Sequence, residues 1–294
     1  MASENFAVDF IGIGAGKAGT TWVSECLTEH PQICLSRPKE LNFFCRKTIW
    51  KDSVSNHDRG RSWFESKFQH WQNGQLRGEF SPTYMIDPDS PALIHHHNAQ
   101  AKLIICLRNP VDRLYSLYYQ LRKEYVVPGT FEEFLESSKD IIESSYYNTQ
   151  LQRFMAYFSL SAMHFILFED IRNNPADVMS GLYRFLQVDE SFIASKLNAK
   201  VNERKEPRSN LIRNMISETK SFLNSNATLK KVKHVLASAG IESLTNKILE
   251  LNLRNGVFPE INQETKKRLT DIYAPDIQEL SKVLNRDLSL WTRS

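Results

Sequence analysis

The stretch that decides the fold is Phe6-Ala-Val-Asp-Phe-Ile-Gly-Ile-Gly-Ala-Gly-Lys-Ala-Gly-Thr-Thr-Trp22. Its first half, Phe6 to Ile13, is a short apolar run of the kind that forms a buried strand. A cluster of glycines interrupts the run, and Thr20 to Leu27 then follows with the spacing of a helix. The chain is therefore predicted to open as strand, tight loop and helix, the unit that holds phosphate groups in α/β proteins.

The composition of this loop predicts an anion site. Backbone N–H groups and the positive end of the following helix attract anions, Lys17 adds a point charge, and Thr20 and Thr21 add hydrogen-bond donors. A merely tight turn from strand to helix requires one or two glycines, but neither the lysine nor the paired threonines. We therefore expect this P-loop-like segment to bind a phosphate-type group.

The loop by itself leaves the identity of the anion open. Gly14 to Gly19 satisfies the pattern GxGxxG, which is associated with dinucleotides, and Arg37 near the second strand would make NADP the dinucleotide to consider. A Walker A loop is excluded, because Ile11 lies five residues before Gly16 and Ala18 follows the lysine. A nucleoside triphosphate with magnesium is thereby disfavoured.

Four further apolar runs alternate with helical patterns, which is typical of βαβ units and a parallel sheet. The predicted strands are Ile33–Leu35, Gly78–Phe80, Lys102–Leu107 and His164–Phe168. The predicted helices are Pro110 to about Tyr125, Phe131–Ser138, Tyr147–Phe158, Pro175–Leu186 and Gln263–Leu284. We expect an α/β fold with a central, mostly parallel sheet of about five strands and helices on both faces.

The chain shows no internal repeat or flexible linker, so we expect one domain over residues 1–294. Its α/β core would cover residues 1–200, and a mostly helical extension would cover residues 201–294. Asn202 to Asn210 is polar, basic and interrupted by proline, which predicts an exposed loop.

A second anion motif lies in Lys102-Leu-Ile-Ile-Cys-Leu-Arg-Asn-Pro-Val-Asp-Arg-Leu-Tyr-Ser116. It is a buried-type strand that delivers Arg108 at its carboxyl end, and Ser116 follows two turns into the next helix. Ligands of open α/β sheets bind at the carboxyl ends of the strands, so Arg108 should lie at the same rim as the Lys17 loop. A surface salt bridge is the alternative use of a lone strand-end arginine.

Together the two motifs resemble those of the sulfotransferases that use 3'-phosphoadenosine 5'-phosphosulfate (PAPS), in the style of the heparan sulfate sulfotransferase-like and soluble bacterial branches. The segment Lys17 to Trp22 looks like the family's 5'-phosphosulfate loop, and Arg108 to Ser116 looks like its 3'-phosphate motif. A nucleotide phosphorylated at both ends explains two anion sites, whereas a dinucleotide with one pyrophosphate does not. The cofactor-binding residues that the resemblance implies are Gly16, Lys17, Ala18, Gly19, Thr20, Thr21, Trp22, Arg108 and Ser116.

The resemblance also implies a catalytic pair. Pro38-Lys-Glu-Leu-Asn-Phe-Phe44 resembles the KExxFF segment of the heparan branch, which makes Glu40 the candidate base; a surface salt bridge to Lys39 or Arg37 is the alternative. Lys17 would stabilise charge that develops on the transferred group. Trp22 is expected either to stack on adenine or to serve as a core aromatic.

Three departures from the heparan branch qualify the resemblance. Phe80 stands where that branch often has lysine, and its disulfide and its Lys-Gly-Arg adenosine loop are missing. We expect the basic loop with Lys205 and Arg208 to act as a clamp over the nucleotide, with a solvated charged loop as the alternative.

Composition bounds the remaining properties. A net charge of +3 is too small for a nucleic-acid partner, and no apolar stretch approaches the length of about 20 residues that a membrane span requires. The first residues do not read as a signal peptide, so the cytoplasm is the expected location. His95-His-His97 is not expected to hold a metal, because adjacent side chains do not converge easily on one ion.

The predicted function is sulfuryl transfer from PAPS to a hydroxyl or amine of an acceptor, either a small-molecule natural product or a carbohydrate. An NADP-dependent oxidoreductase and a non-catalytic PAPS-binding relative are the alternatives. The acceptor and the oligomeric state are not readable from the sequence.

Overall fold

A computed structural model of the chain describes residues 6–46, 54–124, 129–137, 139–199, 205–207, 253–255 and 260–293. The chain divides into two compact units. The first comprises residues 1–114, 140–201 and 266–294, and the second comprises residues 115–139 and 202–265. The domain limits expected from the sequence stay a prediction.

A five-stranded parallel sheet forms the centre of the first unit, and its strand order is β2-β3-β1-β4-β5. The strands are β1 (Phe10–Gly14), β2 (Ile33–Leu35), β3 (Leu76–Phe80), β4 (Lys102–Leu107) and β5 (Met163–Leu167). Side chains of β1 are buried along its whole length, as parallel strands covered on both faces require. The predicted α/β class and the five-stranded parallel sheet are confirmed.

Six of the ten α-helices in the described part of the chain correspond to predicted helices, with limits that agree or differ by a few residues, and the other four were not predicted. The ten helices are α1 (Thr20–Glu29), α2 (Arg61–Glu65), α3 (Ser90–His97), α4 (Pro110–Glu124), α5 (Phe131–Ser137), α6 (Lys139–Glu143), α7 (Tyr147–Met155), α8 (Phe168–Asn173), α9 (Pro175–Leu186) and α10 (Gln263–Leu284). The C-terminal helix α10 buries Leu269, Tyr273 and Ile277 within the first unit. None of the helices in the described part of the chain is long and apolar enough to cross a membrane.

The strand order locates the crevice where a ligand is expected. From the adjacent strands β1 and β4 the chain leaves in opposite directions, to β2 on one side and to β5 on the other. Right-handed crossovers then place the connecting helices on opposite faces of the sheet. The carboxyl ends of β1 and β4 therefore flank the switch point at which open α/β sheets bind their ligands.

Two predicted segments differ in the structure. Strand β1 begins at Phe10 rather than at Phe6, and the N–H of Val8 donates to Nε2 of His97 instead of to a neighbouring strand. The loop predicted for Asn202 to Asn210 is wrong at Lys205–Pro207, which forms β6.

Strand β6 pairs antiparallel with β7 (Leu253–Asn255). Backbone pairing with a distant segment overrides the polar composition of Lys205–Pro207 there. The other residues of that predicted loop, and the helical pattern predicted between Leu211 and β7, lie outside the described residues.

Candidate phosphosulfate site

The loop between β1 and α1 has a backbone that most side chains would not permit. Gly19 precedes the helix with a φ of 97°, and a Cβ there would lie 2.6 Å from Cδ1 of Ile171. Lys17 adopts a φ of 69°, a left-handed conformation that is uncommon for residues other than glycine. Such conformations cluster at functional sites, where the surrounding structure maintains them.

The start of α1 is electrostatically prepared for an anion. No side chain of the described residues caps its first turn, and that turn contains no acidic residue. The N–H groups of a first turn lack partners within the helix, and the helix dipole makes this end positive. Thr20 is buried and Thr21 is half-buried at this end of the helix, and their part in an anion site stays a prediction.

Arg113 holds the phosphate loop from below. Its Nε donates to the carbonyl oxygen of Gly16 at 2.9 Å, and its Nη1 donates to the hydroxyls of Ser144 and Ser145 at 3.1 and 2.6 Å. The side chain is only 2% exposed, and no carboxylate of the described residues forms an ion pair with it. A buried cation without a counter-ion is costly. The guanidinium of Arg113 therefore places an unbalanced positive charge next to the predicted anion loop.

Arg108 reaches the same loop from the end of β4. Its Nη1 donates to the carbonyl oxygen of Lys17 at 3.4 Å, and its guanidinium lies 4.5 Å from the ring centre of Phe168. The hydroxyl of Tyr147 donates to the carbonyl oxygen of Arg108 at 2.9 Å and fixes the backbone there. The structure thus brings together the loop and the strand-end arginine that the sequence placed at one rim.

The sequence explains why α4 begins directly after Arg108. The side-chain oxygen of Asn109 accepts from the N–H groups of Val111 and Asp112 at 2.9 and 3.3 Å, which makes Asn109 the N-cap. Pro110 occupies the first helical position, where its missing N–H costs nothing. Ser116 lies two turns further along the helix and belongs to the second unit, and its predicted role stays a prediction.

The structure does not test the two predicted clamp residues. Lys205 lies in β6 of the second unit, and Arg208 lies outside the described residues. Their proposed contact with a nucleotide stays a prediction.

Trp22 has the packing of a core aromatic. It is 4% exposed, and its indole N–H donates to the carbonyl oxygen of Leu197 at 3.2 Å. This environment accounts for the residue without a ligand, and stacking on adenine stays a prediction.

Glu40 forms the ion pair that the sequence offered as the alternative to a catalytic role. Its Oε1 lies 2.8 Å from Nζ of Lys39, and the side chain is 52% exposed. Its φ of 65° is again left-handed. An exposed carboxylate in a constrained backbone is accessible to an acceptor, so the ion pair and the role of base are compatible.

Glu79 is a functional candidate that the residue pattern did not single out. It lies in β3 next to Phe80, and its side chain is completely buried. Burial raises its pKa to about 7; hydrogen bonds from Ser81 and the backbone of Leu41 act in the opposite direction. Side chains alternate between the two faces of a strand, so Glu79 and Phe80 lie on opposite faces of β3. This alternation is the sequence feature that could have pointed to Glu79.

Phe80 explains one departure from the heparan branch. Its ring occupies the space beside Gly12, where a Cβ would lie 2.0 Å from Cδ1 of Phe80. The side chain is 2% exposed and also contacts Phe10 with the ring centres 6.5 Å apart. A core aromatic therefore stands where a lysine was expected from the resemblance.

A cavity of about 580 Å³ opens between α1 and the residues that follow β2. Thr21 of the anion site and Lys39, the neighbour of Glu40, both belong to its lining. The rest of the lining combines hydroxyl, amide and charged side chains, among them Ser24, Ser36, Arg37 and Gln72, with apolar ones such as Ile33 and Leu35.

A parallel α/β sheet with a cationic loop and a strand-end arginine at its switch point is typical of proteins that bind phosphate groups. Residues 8–250 match the family model described as the sulfotransferase domain. The chain belongs to this sulfotransferase family. Membership confirms the resemblance and decides against the oxidoreductase interpretation.

Relatives and a solved structure agree with this assignment. Heparan sulfate glucosamine 3-O-sulfotransferase 5 of Homo sapiens is 26% identical over 190 residues, which cover 60% of this chain and 52% of the relative. The membrane-associated sulfotransferase kil1 of Dictyostelium discoideum is 30% identical over 145 residues, which cover 46% of this chain and 29% of the relative. The chain thus spans about half, or less, of the length of these relatives.

The crystal structure of a sulfotransferase from Alicyclobacillus acidocaldarius superimposes with a TM-score of 0.71 at 23% identity. The comparison covers 98% of this chain and 100% of that one. At this identity the likeness shows a common fold.

Proposed function

We propose that this chain transfers the sulfuryl group of PAPS to a hydroxyl or amine of a carbohydrate or small-molecule acceptor. One observation carries the proposal: two guanidinium groups, of Arg108 and Arg113, bind adjacent carbonyl oxygens of the loop that leads into the uncapped start of α1. Membership in the sulfotransferase family supports it.

The residues of the loop fit the 5'-phosphosulfate end of this donor. The buried charge of Arg113 has no described counter-ion, and Gly19 keeps the start of α1 clear of a Cβ. Backbone N–H groups of Lys17 to Thr21, with the threonine hydroxyls, would hold the anion. Arg108, at the neighbouring strand end, would hold the 3'-phosphate.

When bound, PAPS supplies an activated sulfuryl group and leaves as adenosine 3',5'-bisphosphate. Lys17 would place its ammonium against the oxygens on which charge develops, and this preorganised charge is what lowers the barrier. Glu40 would accept the proton of the acceptor hydroxyl or amine as the new bond to sulfur forms.

The acceptor class is supported by two observations. The names of several relatives specify heparan sulfate glucosamine, a carbohydrate. The cavity between α1 and the residues after β2 includes Lys39, the direct neighbour of Glu40. A carbohydrate or a polar small molecule with a free hydroxyl is therefore the acceptor that we propose to test first.

The test is transfer from ³⁵S-labelled PAPS to a panel of acceptors: heparan-type oligosaccharides, phenols, aliphatic alcohols and amines. We expect labelled product from at least one class, and we expect Lys17→Ala to lower the rate by at least about 10²-fold. Lys282→Ala is the matched control, because this exposed lysine pairs with Glu279 on α10. Product formation at the wild-type rate by Lys17→Ala would contradict the proposal.

Binding separates the two remaining alternatives. We expect adenosine 3',5'-bisphosphate to bind, as measured by calorimetry, and Arg108→Ala to weaken that binding. Binding without turnover on any acceptor class would favour a non-catalytic relative. Tighter binding of NADPH than of the bisphosphate would overturn the assignment.

A further inference from the structure

Consecutive backbone N–H groups of residues 40–44 all bind one short segment at the carboxyl end of β3. Four of these five hydrogen bonds end on side-chain oxygens of that segment rather than on its backbone. The bonds run from the N–H of Glu40 to the Phe80 carbonyl (2.9 Å), of Leu41 to Glu79 Oε1 (3.1 Å), of Asn42 to Ser81 Oγ (2.9 Å), and of Phe43 and Phe44 to the Tyr84 hydroxyl (2.9 and 3.3 Å).

The backbone of this segment requires such support. Glu40 and Asn42 have φ values of 65° and 49°, both in the left-handed region. This conformation is uncommon for residues other than glycine, and it persists where the surroundings determine it. The hydrogen bonds to residues 79–84 hold this backbone in place. They thereby fix the direction in which the side chain of Glu40 points.

Glu79 lies at the centre of this support. Its Oε1 accepts the N–H of Leu41, the residue directly after Glu40, and it also accepts the hydroxyl of Ser81. Ser81 in turn accepts the N–H of Asn42 at 2.9 Å. One carboxyl group therefore orients two successive amides, the first directly and the second through a serine.

Glu79 is a costly residue to bury. The side chain is completely buried, and hydrogen bonds from Ser81, from the backbone of Leu41 and from Tyr84 favour its ionised form. Its pKa is raised chiefly by burial, and the charge of Glu40 acts in the same direction. Burial of a carboxyl group is costly, and the hydrogen bonds that it accepts from Leu41 and Ser81 offset that cost.

We propose that Glu79 is a positioning residue for the reaction, which orients Glu40 toward the acceptor by holding the backbone of Leu41 directly and that of Asn42 through Ser81. The inference rests on the proposed role of Glu40 in sulfuryl transfer. Glu79 would touch neither donor nor acceptor, and it would act only through residues 40–44.

The first test compares Glu79→Ala and Glu79→Gln in steady-state kinetics. We expect the alanine variant to lower kcat by about 10- to 10²-fold, because misplacing a catalytic group by about 1 Å has an effect of this size. The KM for PAPS should stay near the wild-type value. The glutamine variant should keep most of the activity, since its amide oxygen can accept the bonds of Leu41 and Ser81.

Asp9→Asn is the matched control for these variants. The Asp9 carboxylate also accepts a backbone N–H of β3, from Arg77 at 2.6 Å, but it does so at the amino end of the strand. We expect wild-type kinetics from this variant. An equal loss in Asp9→Asn and Glu79→Ala would assign the effect to general stability and overturn the proposal.

Combining each Glu79 variant with Glu40→Gln shows whether Glu79 acts through Glu40. If it does, Glu79→Ala in the Glu40→Gln background should change kcat by no more than about twofold. A full additional loss there would mean that Glu79 acts independently, and it would overturn the inference. Wild-type turnover in Glu40→Gln would overturn both the proposed base and this inference, but not the proposed transfer of a sulfuryl group.

Hydrogen exchange gives a readout that does not depend on turnover. The amides of Leu41 and Asn42 should exchange faster in Glu79→Ala and remain protected in Glu79→Gln. Unchanged protection in Glu79→Ala would overturn the proposal. If Glu79→Ala does not fold, Ser81→Ala makes the same test, because it removes the acceptor of Asn42 and the donor to Glu79.

Discussion

The loop after β1 and the loop after β2 each present one candidate catalytic residue, and the protein holds them in opposite ways. Lys17 and Glu40 have nearly the same left-handed φ, 69° and 65°. In the first loop, guanidinium groups of Arg108 and Arg113 bind the carbonyl oxygens. In the second loop, oxygens at the end of β3, such as Glu79 Oε1, bind the N–H groups.

The difference matches what each loop has to do. An anion is bound by N–H groups, so a loop that is supported through its carbonyl oxygens suits the phosphosulfate end of a nucleotide. A base works through its side chain, so the second loop can use its N–H groups for its own support. The same constrained backbone thus serves binding in one place and the orientation of a carboxylate in the other.

Among the variants that test this difference between the two loops, Glu40→Gln should have the largest effect on kcat. We expect kcat to fall by about 10²- to 10⁴-fold, because the amide cannot accept the proton of the acceptor. Binding of adenosine 3',5'-bisphosphate should be unchanged, since the first loop is intact. The measurement is turnover with saturating PAPS, and Glu65→Gln, which removes an ion pair with Arg61 on α2, is the control. Wild-type turnover would eliminate Glu40 as the base.

A smaller effect, on binding, is expected from Arg113→Gln. Losing a charged hydrogen bond and a buried positive charge should weaken the affinity for adenosine 3',5'-bisphosphate by about 10- to 100-fold. Stability without nucleotide should change little, because removal of an unbalanced charge offsets the lost hydrogen bonds. Calorimetry and thermal unfolding measure the two quantities. Arg153→Gln is the control, since this exposed guanidinium also donates to a backbone carbonyl, that of Ile86. Unchanged affinity in Arg113→Gln would show that the charge beneath the loop does not act on the ligand.

The smallest effect expected is on the pH dependence of stability, from Glu79→Gln. The pKa of Glu79 is raised from 4.5 to about 7 in the folded protein, chiefly by burial. The folded state then binds more protons than the unfolded state between these values, so this group's contribution is full below about pH 4.5 and is lost as the pH rises through about 7. Relative to Glu79→Gln, the wild type should therefore lose a few degrees of thermal midpoint, roughly, between pH 5 and pH 7.5.

The comparison with Glu79→Gln removes other titrations from this measurement. Burial lowers the pKa of His97 and of His164 to about 4, and both contributions change stability in the opposite direction over part of the same range. They are common to both proteins and cancel in the difference. A difference that is constant with pH would mean that Glu79 is already ionised throughout the range.

Most of the fold could be predicted from local pattern. Strands β2 and β4 and helices α9 and α10 have the predicted limits, because continuous apolar runs and amphipathic spacing need no information from elsewhere in the chain. Strand β6 could not be predicted, since its pairing partner β7 lies far away in the sequence.

The sequence by itself determined the anion loop and the strand-end arginine, because glycine spacing, a lysine and a helix start are local features whose chemistry does not depend on distant contacts. Only the tertiary structure decided what supports them. Arg113 beneath Gly16, and Glu79 behind Leu41, act through contacts between segments that are 97 and 38 residues apart. A buried charge has no local signature, because its cost and its use are set by the partners that folding brings to it.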